Sequence, residues 1–292
     1  MAKLPLSALV AWLVPPHGWE VAARLTPGAS GRLAEKIARI LGSGWAGPSA
    51  EDIARGHQLM LRIDQLAYLR CHAPWRWRPR LALHGKEHLT VARSTGKGVI
   101  LWVGPTVAGP LVAKMTLHEH GIAVHHLSHP HHGLSRQTRL GRRLLNPLRT
   151  RIEDRFLRER VLLGTDNQAQ AALRRLSGLL RQGETVSITV APRGSRVLSA
   201  PFAAGRIEVA SGALALAART GAALLPVWAW RCPDGSYATR IEPPLAPAGD
   251  HQAIVRELGS QLERFAKDCP EQVQWDQACL QLPSTPRAGR AG

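Results

Sequence analysis

The chain changes its punctuation after Pro79, and that change limits the folds open to it. Short runs of Val, Ile and Leu begin to alternate with longer stretches whose apolar residues recur at helical spacing. Strands are expected over 81–83, 99–103, 123–127, 161–163, 185–190, 224–230 and 237–241. Helices are expected over 108–120, 136–145, 168–181, 207–220 and 251–267. Parallel strands need long crossover connections, usually helices, so this alternation predicts an α/β fold. The expected architecture is a largely parallel mixed sheet flanked by helices. Residues 1–80 lack the alternation and read as an N-terminal helical hairpin. One of its helices spans 31–41, and a second starts at Pro48-Ser49-Ala50-Glu51-Asp52 with acids in its first turn. The expected division is therefore a helical segment 1–80, an α/β domain 81–283, and a polar, Gly-rich tail 284–292 expected to be disordered.

A chain of 292 residues that is 45% apolar can bury a sizeable core. Its 38 Lys and Arg against 21 Asp and Glu give a formal charge of +17. That excess invites nucleic acid, an anionic membrane surface or phosphorylated ligands as partners. The four cysteines are scattered without a Cys-x-x-Cys pair, which argues for a reducing compartment and against a disulfide framework. No zinc-ribbon spacing, phosphate-binding glycine loop or Gly-x-Ser-x-Gly elbow occurs. No helix-turn-helix or aromatic-basic sheet signature appears either. Charge alone supports only non-specific attraction, so no specific nucleic-acid partner is expected.

The apolar start, Leu4 to Val14, is too short for a bilayer, which needs about 20 residues. It also lacks the small residues of a cleavage site, so a signal peptide is not expected. Leu4, Leu6, Leu9, Trp12 and Leu13 nevertheless recur at near-helical spacing, and Trp75-Arg76-Trp77-Arg78-Pro79-Arg80 mixes indoles with guanidiniums. Such a mix fits contact with an anionic lipid interface; it equally fits a helical hairpin packed on the domain with Trp75 and Trp77 as core or lid residues.

Several segments carry a resemblance. Gly85, Glu87, Leu89 and Ala92 precede the strand Gly96-Lys97-Gly98-Val99-Ile100-Leu101. Leu180-Arg181-Gln182-Gly183 ends a helix. Gly212 to Ala222 contains Leu-Ala and Thr-Gly-Ala, and Arg231 to Tyr237 contains Asp-Gly-Ser-Tyr. Pro270-Glu271-Gln272 is followed by Trp275. In this order the segments resemble the late-acyltransferase family of lipid A biosynthesis, within the lysophospholipid acyltransferase superfamily. The resemblance covers roughly residues 45–276. It implies a glycerolipid-acyltransferase-like α/β domain placed peripherally at the cytoplasmic face of the bacterial inner membrane. It also implies transfer of a fatty acyl group from an acyl carrier protein or another acyl thioester, with anionic lipid as a partner and no cofactor.

The family carries His-x-x-x-x-Asp/Glu directly after the first long strand. There the histidine takes the acceptor hydroxyl proton while the acid orients the imidazole. In this sequence Pro105 and Pro110 stand at those two positions, and none of the 13 histidines has an acid five residues later. The resemblance therefore leaves two readings open. One is an acyltransferase whose base lies elsewhere, or whose acceptor is an amine that needs none. The other is a catalytically inactive relative that binds acyl chains or a carrier protein. Seven histidines crowd between His118 and His132. Of these, His129, His131 and His132 follow the next strand and are the candidate displaced bases, because ends of neighbouring parallel strands share one rim. Residues 136–160 hold nine arginines against Glu153, Asp154 and Glu159. Arg136 and Arg139 from this run, with Arg193 and Arg206 near the next strand and helix, are the candidates for binding an anionic substrate. The positive end of a helix starting near Ile207 would add to them. No metal site is expected.

Overall fold

A computed structural model describes residues 3–25, 31–73, 77–130, 139–164, 166–245 and 250–283, with the side chains of 3–6, 139–145 and 166–167 outside that description. The expected tail 284–292 lies outside the described residues. The N-terminal region consists of α1 (Lys3–Leu13), α2 (Trp19–Arg24), α3 (Gly31–Leu41) and α4 (Ala50–Arg70). It is therefore more than a hairpin: α4 packs against α1, α2 and α3 in turn. The start of α4 follows from local chemistry, since the Ser49 hydroxyl accepts the Asp52 amide at 3.1 Å and Glu51 and Asp52 sit in the first turn.

The rest is built on β1 (Leu81–His84), α5 (Lys86–Ser94), β2 (Val99–Val103), α6 (Lys114–Glu119), β3 (His125–Ser128), α7 (Arg139–Asp154), β4 (Glu159–Leu162), α8 (Asp166–Arg181) and β5 (Thr185–Thr189). It continues through β6 (Val197–Phe202), β7 (Gly205–Ala210), α9 (Gly212–Thr220), β8 (Ala223–Arg231), β9 (Tyr237–Ile241), α10 (His251–Asp268) and β10 (Leu280–Gln281). The main sheet runs β1-β9-β8-β2-β5-β3-β4. All its described pairings are parallel except β8 with β9.

β2 lies in the middle and explains why its sequence is a continuous apolar run. A central parallel strand is covered on both faces. Ile100 and Trp102 face the core beneath α8, α9 and α10, while Val99, Leu101 and Val103 face the core beneath α4 and α6. The alternation is the period-two geometry of a strand.

Two expectations need correcting. The single helix expected over 108–120 is a π-helical turn, Gly109–Ala113, that passes into α6. The helix expected over 207–220 does not begin at Ile207. Residues up to Ala210 form β7, the middle strand of a second antiparallel sheet, β10-β7-β6. Helix α9 starts only at Gly212. Alternate residues of β7 (Ile207 and Val209) are fully buried, so the apolar run satisfies a strand first and a helix afterwards.

Candidate functional site

Ligands of parallel sheets bind outside the carboxyl ends of the strands. In this chain the central part of that rim is the loop after β2. The Gly104 amide donates to Val227 O at 2.8 Å, and the Val190 amide donates to Val103 O at 2.8 Å. Beyond it the loop is closed by residues 272–274. Val107 N donates to Gln272 O at 2.9 Å, Gln274 N donates to Pro105 O at 2.8 Å, and Thr106 bridges to Val273. The Gln272 side chain is itself fixed, accepting from the Arg231 amide and donating to the Arg231 carbonyl. Gly104 is required here, since a Cβ would stand 2.1 Å from the Trp228 ring. Pro105 is buried in this seam and Pro110 is half-buried. Neither ring can accept a proton.

Behind the loop lies a buried charge network. Lys114 donates to Pro110 O at 2.7 Å and to Glu153 at 2.7 Å. Glu153 also accepts from Tyr68 at 2.8 Å, Arg160 at 3.1 Å and Arg149 at 3.3 Å. Burial pulls the Lys114 ammonium below its ordinary range and pushes the Tyr68 phenol well above it. Asp64 stands 3.9 Å from Arg149, and its side chain retains 15% of its surface. Burial raises its carboxyl to about 7, outweighing the attraction of Arg149. A cavity of about 10 Å³, enough for roughly one water, touches Asp64, Arg231, Tyr237, Val107 and Ala108. Burial also lifts the Cys71 and Cys279 thiols to about 12 and Cys269 to about 11, which leaves them unsuited as thiolate nucleophiles at neutral pH.

The candidates from sequence fall unevenly around this rim. His129 is exposed just past β3, at the same end of the sheet as Pro105. One strand, β5, separates β3 from β2, about 10 Å at ordinary strand spacing. His131, His132 and Arg136 lie outside the described residues, as does the Arg139 side chain at the start of α7. His125 and His126 are buried within β3, bonded to Glu159 at 2.9 Å and to Ser187 at 2.7 Å. Arg193 is exposed in the loop after β5, with Arg196 beside it. The Ser211 amide donates to Arg196 O, so the N-terminus of α9 borders this loop. Arg206 is not there. It sits in β7 at the other end of the β6–β7 hairpin, about 17 Å along the strand, bonded to Glu208 and Leu282 O. The helix start expected beside Arg206 therefore belongs beside Arg196.

The arginine run is also less available than its composition implies. Arg149, Arg158 and Arg160 pair with Glu153, Glu184 and Asp154, and Arg155 donates to Cys71 O. Trp19 and Trp77 are core residues, with ring centroids 6.0 Å apart, while Trp75 lies outside the described residues. Sequence reasoning passed over Asp64, Lys114 and Arg196. Asp64 alone left a signal, as an acid on the apolar stripe of Met60, Ile63 and Ala67. Among the described residues no group of three His, Cys, Asp or Glu is placed to hold a metal ion.

Set against protein families, residues 57–278 match the profile described as bacterial lipid A biosynthesis acyltransferase. No curated protein matches the chain.

Proposed function

The chain belongs to the bacterial lipid A biosynthesis acyltransferase family, whose chemistry is acyl transfer, and from that premise we propose that it transfers or holds a fatty acyl group delivered as an acyl carrier protein thioester at the inner face of a bacterial membrane. The observation that carries this reading is the cationic strand-end rim. Arg193 and Arg196 are exposed there beside the N-terminus of a nine-residue helix, α9. Guanidiniums and helix amides together favour a phosphate or carboxylate. An anionic acceptor, or the phosphate arm of a carrier-bound thioester, would be held at that point.

Attachment to the membrane face is part of the proposal. No described helix is long and apolar enough to cross a membrane. Leu9, Trp12 and Leu13 lie at helical spacing on one exposed face of α1, and Val21 and Leu25 are exposed at α2. This apolar surface supports peripheral contact with lipid.

For transfer to a hydroxyl, the acceptor proton must leave as its oxygen attacks the thioester carbonyl, and the carbon–sulfur bond must then break to release the thiol. Pro105 and Pro110 can take no part in that proton transfer. Exposed His129 is the described imidazole on the same rim. A second reading is favoured by the sealed loop: with its backbone paired to 272–274, the chain acts as an acyl or carrier-protein binding partner without turnover. Incubating purified protein with labelled acyl carrier protein and a bacterial extract of lipids and polar metabolites separates the two. Transfer or thiol release above background supports the enzyme, and capture without turnover supports the partner. If neither occurs, the acyl-group proposal fails. Loss of transfer in His129→Ala would identify the base, while unchanged transfer would exclude it.

A further inference from the structure

A second concavity lies away from the strand-end rim, where the α3–α4 turn, the β6–β7 turn and α10 meet. It measures about 390 Å³, within the range of small-molecule sites. Leu41, Trp45, Ala204 and Ala266 give it an apolar interior, while Glu263 and Lys267 supply its charge.

Its aromatic wall is fixed before any ligand arrives. The Trp45 indole donates to Pro48 O at 3.0 Å. Gly47 backs the ring so closely that a Cβ would stand 2.6 Å from it. At the opposite lip the chain bends at Ala203 with φ of 50°, the one non-glycine with positive φ among the described residues. Glu263 holds that bend by accepting the Ala203 amide. Positive φ costs a residue with a Cβ free energy, and such conformations cluster at ligand-binding sites.

The arrangement of charge narrows the ligand. Glu263 and Lys267 are four residues apart on α10, the usual spacing for a helical ion pair. They form none: Glu263 is turned to Ala203, and the Lys267 ammonium has no hydrogen bond or ion pair among the described residues. One cation thus borders the cavity without a counter-charge, and one carboxylate stands within a helical turn of it. A single negative charge can pair with Lys267 at the far side from Glu263, while each further negative charge finds no second cation among the described lining residues and only the Glu263 carboxylate.

We infer that this cavity binds an organic monoanion, a carboxylate carried on a flat apolar body, with the ring against Trp45 and the carboxylate on Lys267. The site is separate from the proposed acyl-group rim and does not depend on that reading. Naphthoate is a suitable probe, titrated into the full chain by calorimetry and followed by the indole signals in nitrogen-15 spectra. Saturable binding is expected, with naphthol and naphthyl phosphate each weaker by roughly tenfold. Lys267→Glu, on an exposed helix position, is expected to weaken naphthoate by at least about tenfold, while its like charge with Glu263 one turn earlier on α10 lowers the thermal midpoint by only about 1–3 °C. Trp45→Ala should weaken it as well. Absence of saturable naphthoate binding, equal binding of naphthol, or binding that survives Lys267→Glu would each overturn the inference. Lys267→Glu keeps the test decisive if Trp45→Ala perturbs folding.

Discussion

Glu153 is fully buried and faces three cations and a phenol, yet it is one carboxylate. Removing its charge leaves Lys114 buried against Pro110 O without an anion. Glu153→Gln is therefore expected to lose about 3–5 kcal/mol in urea unfolding. Tyr68→Phe removes one hydrogen bond to the same carboxylate and should lose closer to 1–2 kcal/mol. Asp64 behaves oppositely. Burial pushes its carboxyl up to about 7 in the fold, against about 4 in an unfolded chain. Between those values the folded state binds the extra proton, so this group's contribution falls as pH rises from about 4 to 7 and stays at its least favourable above that. Denaturant midpoints at pH 5 and pH 8 should therefore differ more in the wild type than in Asp64→Asn. Apart from the place of Asp64 on an apolar stripe, this network was not legible from sequence. Tyr68 and Glu153 lie far apart in the chain, and Glu153-Asp154 read as acids on a solvated basic helix.

The membrane-facing proposal concerns α1 and α2. Leu13 is 73% exposed at the end of α1 and Leu25 80% exposed at the C-terminal cap of α2, and both helices pack against α4. Leu9→Glu with Leu13→Glu should sharply reduce sedimentation with anionic phospholipid vesicles while leaving the circular dichroism spectrum unchanged, because neither side chain contributes to the core. Elements of this kind differ in how plainly a sequence announces them. The five residues of β2 were readable in full because a strand buried on both faces is apolar at every position. The β6–β7 hairpin was not. Ile207, Val209 and Ala210 lead into Ala213–Ala217 with only Ser211-Gly212 marking the change from strand to helix. The family resemblance was legible through short segments in order, and it located the rim. It did not reveal that residues 272–274 close the loop after β2, since that pairing joins chain segments with no local signature.

The molecule as a whole carries +17, the excess that remains however its acids are paired with cations. That excess acts at long range, and long-range attraction is screened by salt. Vesicle binding should weaken between low and physiological ionic strength in the wild type. The leucine variants should lose affinity at both, which separates apolar insertion from charge. The closure of the strand-end rim has one more consequence. Its two sides lie more than half the chain apart, and Lys36 on α3 also reaches forward to Trp275 O and Gln277 O. During synthesis β2 leaves the ribosome long before the segment that covers its end. Until residues 270–281 emerge, the β7 edge lacks β10 and the loop at Pro105 lacks its backbone partners. The nascent domain must wait with an unpaired strand edge, the kind of surface on which chains pair with one another.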